Sequence, residues 1–276
     1  MARRGGSLKT AVSTLDLVSA TTLDQALALL RSDQRSPLAG TTDLYVELNF
    51  GILKPRRFLD IWPLDELREI TLQGDTLVIG SLATFTALIR SPLVNQRLPM
   101  LVEASRLVGG IQIQNRGTLG GNVANASPAG DSLPVLAAVD AVVVLKSVAG
   151  ERRVPLTEFY TGYRQTVRRP DELIVAIEVP QIEGRQYFRK VGTRAALAIS
   201  KIVIAGVKAA APRVAFGSVG PTVIRARKTE AALASGDLEA AVRILRTEIT
   251  PIDDLRSTAE YRHRVAANLL RRFWNP

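Results

Sequence analysis

The sequence predicts an α+β protein: a mixed α/β part first, then antiparallel strands and helices. Three observations predict this class. Residues 22–51 carry a helix pattern, a short extended segment and a second helix pattern. From residue 57 onward, short apolar strands alternate with brief helices. Beyond residue 180, two apolar strands precede a mostly helical tail.

The first helix is predicted to begin near Thr22, because TLDQ is a capping box with Gln25 at the third helical position. The extended segment SPLA then leads into the polar turn GTTD at 40–43 and an amphipathic helix, LYVELNFG. Such a turn directs backbone N–H groups and the side chains of residues 41–43 at one spot. Ordinary helix capping is the alternative explanation.

In the middle of the chain, the sequence pattern predicts short strands at RFLDI and TLVIGS and helices at about 84–90 and 99–107. The glycine-rich stretch NRGTLGGNVANASPAGD, residues 115–131, follows. Beyond it, SLPVLAAVD predicts a helix capped by Asp131 or Ser132, with Pro134 in its first turn. The segments AVVVLKS and ELIVAIEVP predict buried strands.

Near Pro180 the residue pattern of the sequence changes, and we expect a domain boundary at about 178–185. Two apolar strands, KIVIAGVKA and RVAFGSV, follow. The last helix opens with STAE at 257–260, a second capping box. One face of this helix is predicted to carry four residues spaced four apart: Tyr261, Val265, Leu269 and Phe273.

Composition excludes several kinds of chemistry. With 276 residues and 46% apolar content, the chain can bury a large core. It has no cysteine, which excludes disulfides, thiolate catalysis and iron–sulfur ligation by this chain. Its single histidine, His263, is expected to be an exposed helix residue, so a metal site and a Ser-His-Asp triad are not expected. Redox chemistry therefore requires a bound cofactor.

The net charge of +10 fits a nucleic acid, an anionic cofactor or an acidic protein partner. The basic residues are scattered in short groups without a basic arm or an aromatic-rich stacking strand, so we do not expect nucleic-acid binding. The longest apolar stretch, residues 135–145, is interrupted by Asp140 and is shorter than the roughly 18 residues of a membrane span. The N-terminus lacks the apolar region of an export signal, which predicts a cytoplasmic protein.

The glycine-rich stretch is a candidate diphosphate site. A dinucleotide diphosphate is bound best by closely approaching backbone N–H donors, and glycine permits that approach. TLGGN is interpreted as a tight turn of paired glycines, with hydrogen-bonding side chains at Thr118 and Asn122. A plain turn between buried strands remains the alternative. Neither a Walker loop nor a Gly-x-Gly-x-x-Gly motif is present, so a different dinucleotide scaffold is required.

Five ordered motifs carry a family resemblance. They are AGTTD at 39–43, QIQNRGTLGGNVANASPAGD at 112–131, ELIVAIEVP at 172–180, FRKVGTR at 188–194 followed by AISKIVIA, and PIDDLRSTAEYRHRVAANLL at 251–270. With these motifs, from about residue 13 to 273, the chain resembles the FAD-binding medium subunit of molybdenum hydroxylases, the xanthine dehydrogenase and carbon monoxide dehydrogenase family. One departure is Thr41, because the family usually has a second glycine there.

The resemblance implies a PCMH-type FAD-binding fold. Residues 1–180 would form the FAD-binding domain, with an N-terminal βαβ piece at about 1–54 and a larger mixed α/β lobe at about 55–180. Residues 181–276 would form a C-terminal domain of antiparallel strands and helices, like that of the carbon monoxide dehydrogenase flavoprotein. Asp131 would lie near the ribityl or adenosine part of FAD, while Ile174 and Lys190 would approach the isoalloxazine. The two diphosphate loops would consist of Ala39, Gly40, Thr41, Thr42 and Asp43, and of Thr118, Leu119, Gly120, Gly121 and Asn122.

The resemblance further implies an oxidoreductase subunit that holds FAD non-covalently and has no catalytic side chain or metal ligand of its own. The molybdenum cofactor and the [2Fe–2S] clusters would belong to a large and a small partner subunit, in a heterotrimer or a dimer of it. Electrons from the clusters would leave through the flavin to NAD⁺, a quinone or O₂. Two alternatives remain at this point: a free-standing non-covalent FAD oxidoreductase, or a basic assembly or nucleic-acid-binding protein without flavin.

Overall fold

The structure, a computed structural model, describes residues 15–54 and 57–275. Residues 1–14, on which the prediction of a missing export signal partly depends, lie outside the described residues. The α+β class is confirmed, because mostly antiparallel sheets combine with helices along the whole described chain. None of the helices in the described ranges is long and apolar enough to cross a membrane.

The N-terminal part is a βαβ piece. Its three strands pair in parallel in the order β1, β3, β2. Helix α1 begins as predicted, since Thr22 Oγ1 accepts a hydrogen bond from the N–H of Gln25 at 3.3 Å, and Gln25 Oε1 accepts one from the N–H of Thr21 at 2.9 Å. The elements are β1 (Asp16–Ser19), α1 (Leu23–Asp33), β2 (Ser36–Leu38), α2 (Leu44–Asn49) and β3 (Arg57–Asp60).

The middle part is an antiparallel five-stranded sheet covered by helices. Its strand order is β4, β5, β10, β6, β7. The strands are β4 (Ile70–Gln73), β5 (Thr76–Gly80), β6 (Val142–Ser147), β7 (Gly150–Pro155) and β10 (Leu173–Val179), and a separate hairpin consists of β8 (Tyr160–Gly162) and β9 (Gln165–Thr166). The helices are α3 (Phe85–Arg90), α4 (Pro92–Arg97), α5 (Pro99–Arg106), α6 (Ile111–Arg116), α7 (Leu119–Asn125), α8 (Leu133–Ala138) and α9 (Leu156–Phe159), with a 3₁₀ turn at Asp65–Arg68.

Both faces of this sheet are buried. On one face, Leu27 and Leu30 of α1 belong to the same core cluster as Val144 and Leu173 of the sheet. On the other face, alternate residues such as Val143 and Leu145 join the core formed by helices α3 to α8. Burial on both faces explains why β6 and β10 are almost continuously apolar.

The C-terminal part is a four-stranded antiparallel sheet in the order β11, β12, β13, β14. Along β12, Ile202 and Ile204 face a core shared with the last helices, while Val203 and Ala205 face the core of the middle part. The sheet is therefore sandwiched between helices, which explains the apolar run KIVIAGVKA. The elements are β11 (Arg185–Val191), β12 (Ile202–Lys208), β13 (Arg213–Gly217), β14 (Ile224–Arg225), α10 (Arg227–Ala234), α11 (Leu238–Glu248) and α12 (Ala259–Trp274).

Helix α12 differs in detail from its prediction. Its N-cap is Thr258, one residue later than STAE suggests, and Thr258 accepts from the N–H of Tyr261. Leu269 and Phe273 are buried as predicted, but the buried face begins with Arg262 rather than Tyr261. The expectation that His263 is exposed is wrong, because it is half-buried and burial lowers its pKa.

Candidate functional site

A single long cleft brings most of the predicted site residues together. Its volume is about 1490 Å³, larger than the roughly 300–1,000 Å³ of usual small-ligand pockets. Its walls come from the loop after β2, the segment before α8, and strands β10 and β11. Twelve of the thirteen predicted cofactor residues line it: Ala39, Gly40, Thr41, Thr42, Asp43, Thr118, Gly120, Gly121, Asn122, Asp131, Ile174 and Lys190.

Leu119 is the exception. Its side chain is fully buried in the core below the cleft. Its N–H group donates to the carbonyl of Ala83 at 3.0 Å. Leu119 therefore holds α7 against the segment after β5, while the residues on either side of it line the cleft.

The first diphosphate loop, residues 39–43, joins β2 to α2. Thr41 has a φ of +66°, the left-handed conformation that favours glycine and that a β-branched residue seldom adopts. The backbone at Thr41 thus has a shape that glycine adopts freely. Its carbonyl accepts from the N–H of Tyr45 at 3.0 Å, so the strained residue also starts the helix.

The donors of this first loop are available to a ligand. Within the described parts of the chain, the N–H groups of residues 40–43 donate to no protein acceptor. Asp43 precedes α2 but makes no side-chain capping bond. Burial raises the pKa of Asp43, and the positive charge of Arg164 partly opposes that shift. A row of uncommitted N–H groups on a cleft wall suits an anionic group.

The second diphosphate loop has a different structure from the predicted one. The interpretation of Gly120 and Gly121 as a tight turn is wrong, because both lie in the first turn of helix α7, which Thr118 caps. The N–H of Gly120 donates to the carbonyl of Ser81 at 2.9 Å, and that of Gly121 to Thr118 Oγ1 at 3.0 Å. These two donors are already used within the protein.

The glycines of this segment instead allow close packing. A Cβ on Gly120 would lie 2.6 Å from the Cβ of Ser81 and 2.7 Å from its carbonyl oxygen. The start of α7 therefore lies directly on the end of β5. Asn122 Oδ1 accepts from Ser132 Oγ at 2.7 Å, which leaves the Asn122 amide N–H groups on the cleft side of the helix.

Asp131 and Lys190 form an ion pair in the cleft wall, with 2.6 Å between Asp131 Oδ2 and Lys190 Nζ. Lys190 also donates to the carbonyl of Leu107 at 3.0 Å. Burial raises the pKa of Asp131 to about 6, and the charge of Lys190 and its hydrogen bond offset part of that rise. Of the two predicted caps of the next helix, Asp131 and Ser132, the N-cap is Ser132, which makes no side-chain capping bond, and the Asp131 carboxylate points to Lys190.

Ile174 lies on β10 beside a register irregularity with β6 between Ile174 and Ala176. Such bulges change the direction in which a strand's side chains point. Ile174 is nearly buried and contributes an apolar section to the cleft wall. Lys190 and Ile174 therefore provide one charged and one apolar neighbour for a flat aromatic ligand.

Apart from Asp43, Asp131 and Lys190, sequence reasoning missed the ionic residues of the cleft. Arg164 is at the tip of hairpin β8–β9, and its φ of +54° is the only backbone irregularity in that turn among the described residues. At the far end, Arg262 is buried and donates to Asp254 at 2.7 Å and to the carbonyl of Ser218 at 3.3 Å. The turn of TGYRQT is Tyr163-Arg164, which lacks the glycine or asparagine that signals a two-residue hairpin turn, and the pairing of Asp254 with Arg262 depends on tertiary contacts.

These features suit a flavin dinucleotide. The uncommitted N–H groups of residues 40–43 match a diphosphate, and the Ile174 wall beside Lys190 matches a flat ring system that carries hydrogen-bond acceptors. The size of the cleft fits a ligand as long as a dinucleotide. The described residues contain no cluster of three or more side chains of the metal-ligating type.

Comparisons with known proteins agree with this geometry. The profile of the family described as "FAD binding domain in molybdopterin dehydrogenase" matches residues 12–182. The profile described as "CO dehydrogenase flavoprotein C-terminal domain" matches residues 189–276.

Relatives extend over most of the chain. The carbon monoxide dehydrogenase medium chain of Hydrogenophaga pseudoflava is 33% identical over 261 residues, which cover 90% of this chain and 91% of that protein. A putative xanthine dehydrogenase FAD-binding subunit of Escherichia coli K12 is 35% identical, over 88% and 89% of the two chains. A solved structure of carbon monoxide dehydrogenase from H. pseudoflava, in a form lacking the Mo-pyranopterin moiety, superposes with a TM-score of 0.88 at 31% identity, over 94% and 95%.

Proposed function

We propose an electron-transfer role from one premise: this chain belongs to the xanthine dehydrogenase family of molybdenum hydroxylases, as an FAD-binding medium subunit and oxidoreductase component. In the proposed role, bound FAD would accept electrons from [2Fe–2S] clusters of a small partner subunit and would supply them to NAD⁺, a quinone or O₂. The substrate is oxidised on a large molybdopterin subunit, and the three chains assemble as a heterotrimer or a dimer of it.

The first loop carries this proposal. Four consecutive N–H groups without an acceptor among the described residues line a cleft of about 1490 Å³, where an anionic ligand can replace water as their acceptor. In the proposed complex these groups donate to the diphosphate of FAD. Gly40 keeps this loop in contact with the chain before α7, because a Cβ there would overlap the carbonyl oxygen of Arg116.

The remaining roles follow the cleft from end to end. The amide of Asn122 would donate to the diphosphate or ribityl part, and Asp131 would lie near the ribityl or adenosine part. Ile174 packs against the isoalloxazine, and Lys190 donates a hydrogen bond at its edge. When bound, FAD supplies the ability to accept electrons one at a time and to release two. The ammonium of Lys190 favours negative charge on the adjacent ring.

The same proposal divides the chain at about residue 180. Residues 1–180 would be the FAD-binding domain, with sub-lobes at about 1–54 and 55–180, and residues 181–276 would be the C-terminal domain. The two matched profiles, at 12–182 and 189–276, support this division. We further propose that FAD is bound non-covalently, because the chain has no cysteine and His263 does not line the cleft. We propose the cytoplasm as the location.

A free-standing flavoenzyme is the weaker candidate. An enzyme that oxidises its own small substrate needs a base beside the flavin, and histidine is the commonest choice. The lone histidine of this chain lies on α12 outside the cleft. The matched relatives also include medium chains that align with this chain over about nine tenths of its length.

The test is the visible spectrum of the purified full-length chain, followed by titration of the apoprotein with FAD. Flavin absorption bands at about one FAD per chain, released by acid or denaturant, support non-covalent binding. A colourless protein that gains no FAD on titration rules out the proposal. Coexpression with candidate iron–sulfur and molybdopterin subunits tests the assembly. Elution of the flavoprotein alone would favour the free-standing enzyme.

A further inference from the structure

We propose that Arg164 is a mobile cation that binds the diphosphate of the bound dinucleotide, an inference that rests on the proposed function. Arg164 lines the cleft from the tip of hairpin β8–β9, an element that carries none of the predicted cofactor residues. The hairpin thus supplies a third side to a site otherwise built from the two diphosphate segments.

The position of Arg164 follows from its two partners. Its Nη1 atom donates to Oδ1 of Asn125 at 2.9 Å and lies 3.5 Å from Oε1 of Glu47. Glu47 is four residues after Asp43 in the first segment, and Asn125 is three residues after Asn122 in α7. One helical turn rises about 5.4 Å. The guanidinium therefore lies about one turn beyond both diphosphate segments, within reach of a long side chain.

The charge balance of the cleft leaves no net positive charge for a bound diphosphate. The ionisable side chains that line it are five acids, Asp43, Glu47, Asp131, Glu172 and Asp254, and five bases, Arg164, Arg168, Lys190, Arg256 and Arg262. The formal charge of the lining is zero, although the whole chain carries +10. A diphosphate entering the cleft brings two further negative charges, and a cation that can leave its present carboxylate partner for the phosphate lowers the resulting repulsion.

The other four bases already have close partners. Lys190 is held by Asp131, and Arg256 and Arg262 both contact Asp254. Arg168 donates to the carbonyls of Arg169 and Glu172 at 3.0 and 2.7 Å.

Arg164 is different, because its one carboxylate contact in the described structure, with Glu47, is long at 3.5 Å; its side chain is 43% exposed, as much as that of Arg256. Exposed ion pairs of this kind are weak. Arg164 can therefore exchange Glu47 for a better acceptor at little cost.

Asp43 adds a further reason. Its carboxylate borders the uncommitted N–H groups of the first loop, where it would repel a diphosphate when ionised. A guanidinium placed between the two anions removes that repulsion, and its planar fork binds phosphate oxygens in pairs. Arg164 would therefore act on the affinity for FAD while leaving the fold unchanged.

The test compares FAD binding by apoprotein of the wild type with that of Arg164→Gln and Arg164→Lys. Loss of one charge-assisted hydrogen bond predicts FAD affinity about 10- to 100-fold weaker for Arg164→Gln. Arg164→Lys should recover part of that loss, because it keeps the charge without the fork. The salt dependence of FAD affinity should also be smaller in Arg164→Gln, since one fewer cation meets the diphosphate.

Arg153→Gln is the matched control. Arg153 is exposed, contacts Glu151 and Glu178, and does not line the cleft. Arg153→Gln therefore lowers the net charge of the chain as much as Arg164→Gln does, and it should leave the affinity for FAD unchanged. Thermal unfolding of each apoprotein confirms that the variants fold. Wild-type affinity and salt dependence in Arg164→Gln would overturn this inference and leave the proposed function intact. Failure of the wild type to bind FAD would instead overturn the proposed function.

Discussion

The ammonium of Lys190 lies 2.6 Å from the carboxylate of Asp131, although 59 residues separate them in the sequence. The side chains are only 8% and 9% exposed, and Oδ1 of Asp131 has no hydrogen-bond partner in the described structure. The pair connects strand β11 to the segment before α8 across the cleft wall. A buried ion pair is costly to desolvate and strongly destabilising to break from one side.

This pair predicts a pH-dependent stability. Burial raises the pKa of Asp131 to about 6, above the ordinary aspartate value of 3.8. Between these two pH values the folded state binds a proton on Asp131 that the unfolded state does not bind. The protonated Asp131 therefore adds stability that is full below about pH 4 and is lost as the pH rises through about 6. We expect Asp131→Asn to remove this slope, which amounts to at most about 3 kcal/mol.

Urea unfolding of the apoprotein at pH 4 to 8 measures this contribution. Asp75→Asn is the control, because Asp75 is exposed in the turn between β4 and β5. An Asp131→Asn profile parallel to that of the wild type would show that Asp131 does not titrate in this range.

Thr41 predicts an unusual response to glycine. Its φ of +66° costs an L-residue about 1–2 kcal/mol, whereas glycine adopts it freely but is more flexible when unfolded. We expect Thr41→Gly to leave the free energy of unfolding unchanged or to raise it by up to about 1 kcal/mol. The neighbouring Thr42 is the control, because its φ is not positive. Thr42→Gly should lower the free energy of unfolding by about 0.5–1 kcal/mol. Equal losses in both variants would show that Thr41 is not strained.

The close packing of Gly40 against Arg116 predicts that no larger residue fits at position 40. A Cβ there would overlap the carbonyl oxygen of Arg116, so Gly40→Ala must separate the first loop from the chain before α7. We expect a loss of about 1–3 kcal/mol in unfolding free energy and weaker FAD binding, measured by urea unfolding and FAD titration. At Gly162 a Cβ would meet only the flexible Gln165 side chain, at 3.3 Å, so Gly162→Ala should change neither quantity. Wild-type behaviour of Gly40→Ala would mean that the two segments are not in contact.

Asp254 predicts the opposite pH dependence to Asp131. Although burial acts to raise it, the guanidinium of Arg262 and the N–H groups of Arg256 and Ser257 lower the pKa of Asp254 to about 2. A lowered carboxyl pKa adds stability that is full above about pH 4 and is lost as the pH falls through about 2. Asp254→Asn should therefore cost about 2 kcal/mol at pH 7 and almost nothing near pH 2.

Urea unfolding at pH 2 and pH 7 checks this difference. Asp253→Asn is an unsuitable control, because Asp253 accepts from the N–H of Ala259 at the start of α12. Asp75→Asn serves again. A cost for Asp254→Asn that is the same at both pH values would show that the charge of Asp254 contributes nothing.

Local sequence signals predicted about half of the helices and strands of the described chain. Thr22 and Gln25 lie at the start of a helix, as their capping box predicts. The unbroken apolar run of β12 follows from burial on both faces of the sheet. The error at Gly120 has a physical reason. A Gly-Gly pair signals a turn because glycine disfavours helices by about 1 kcal/mol. In the folded chain that cost is offset by the capping bond from Thr118 and by close packing on Ser81.

By itself, the sequence determined the α+β class, the family and the two segments proposed to hold the diphosphate, because these depend on local propensity and on motifs read in order. Tertiary structure alone decided that the Asp131 carboxylate pairs with Lys190 instead of capping α8, and that Arg164 comes to the same cleft from a hairpin. It also revealed the left-handed backbone of Thr41. Such choices depend on which partner lies nearest in three dimensions and on how deeply each charge is buried, and neither is written in the neighbouring residues.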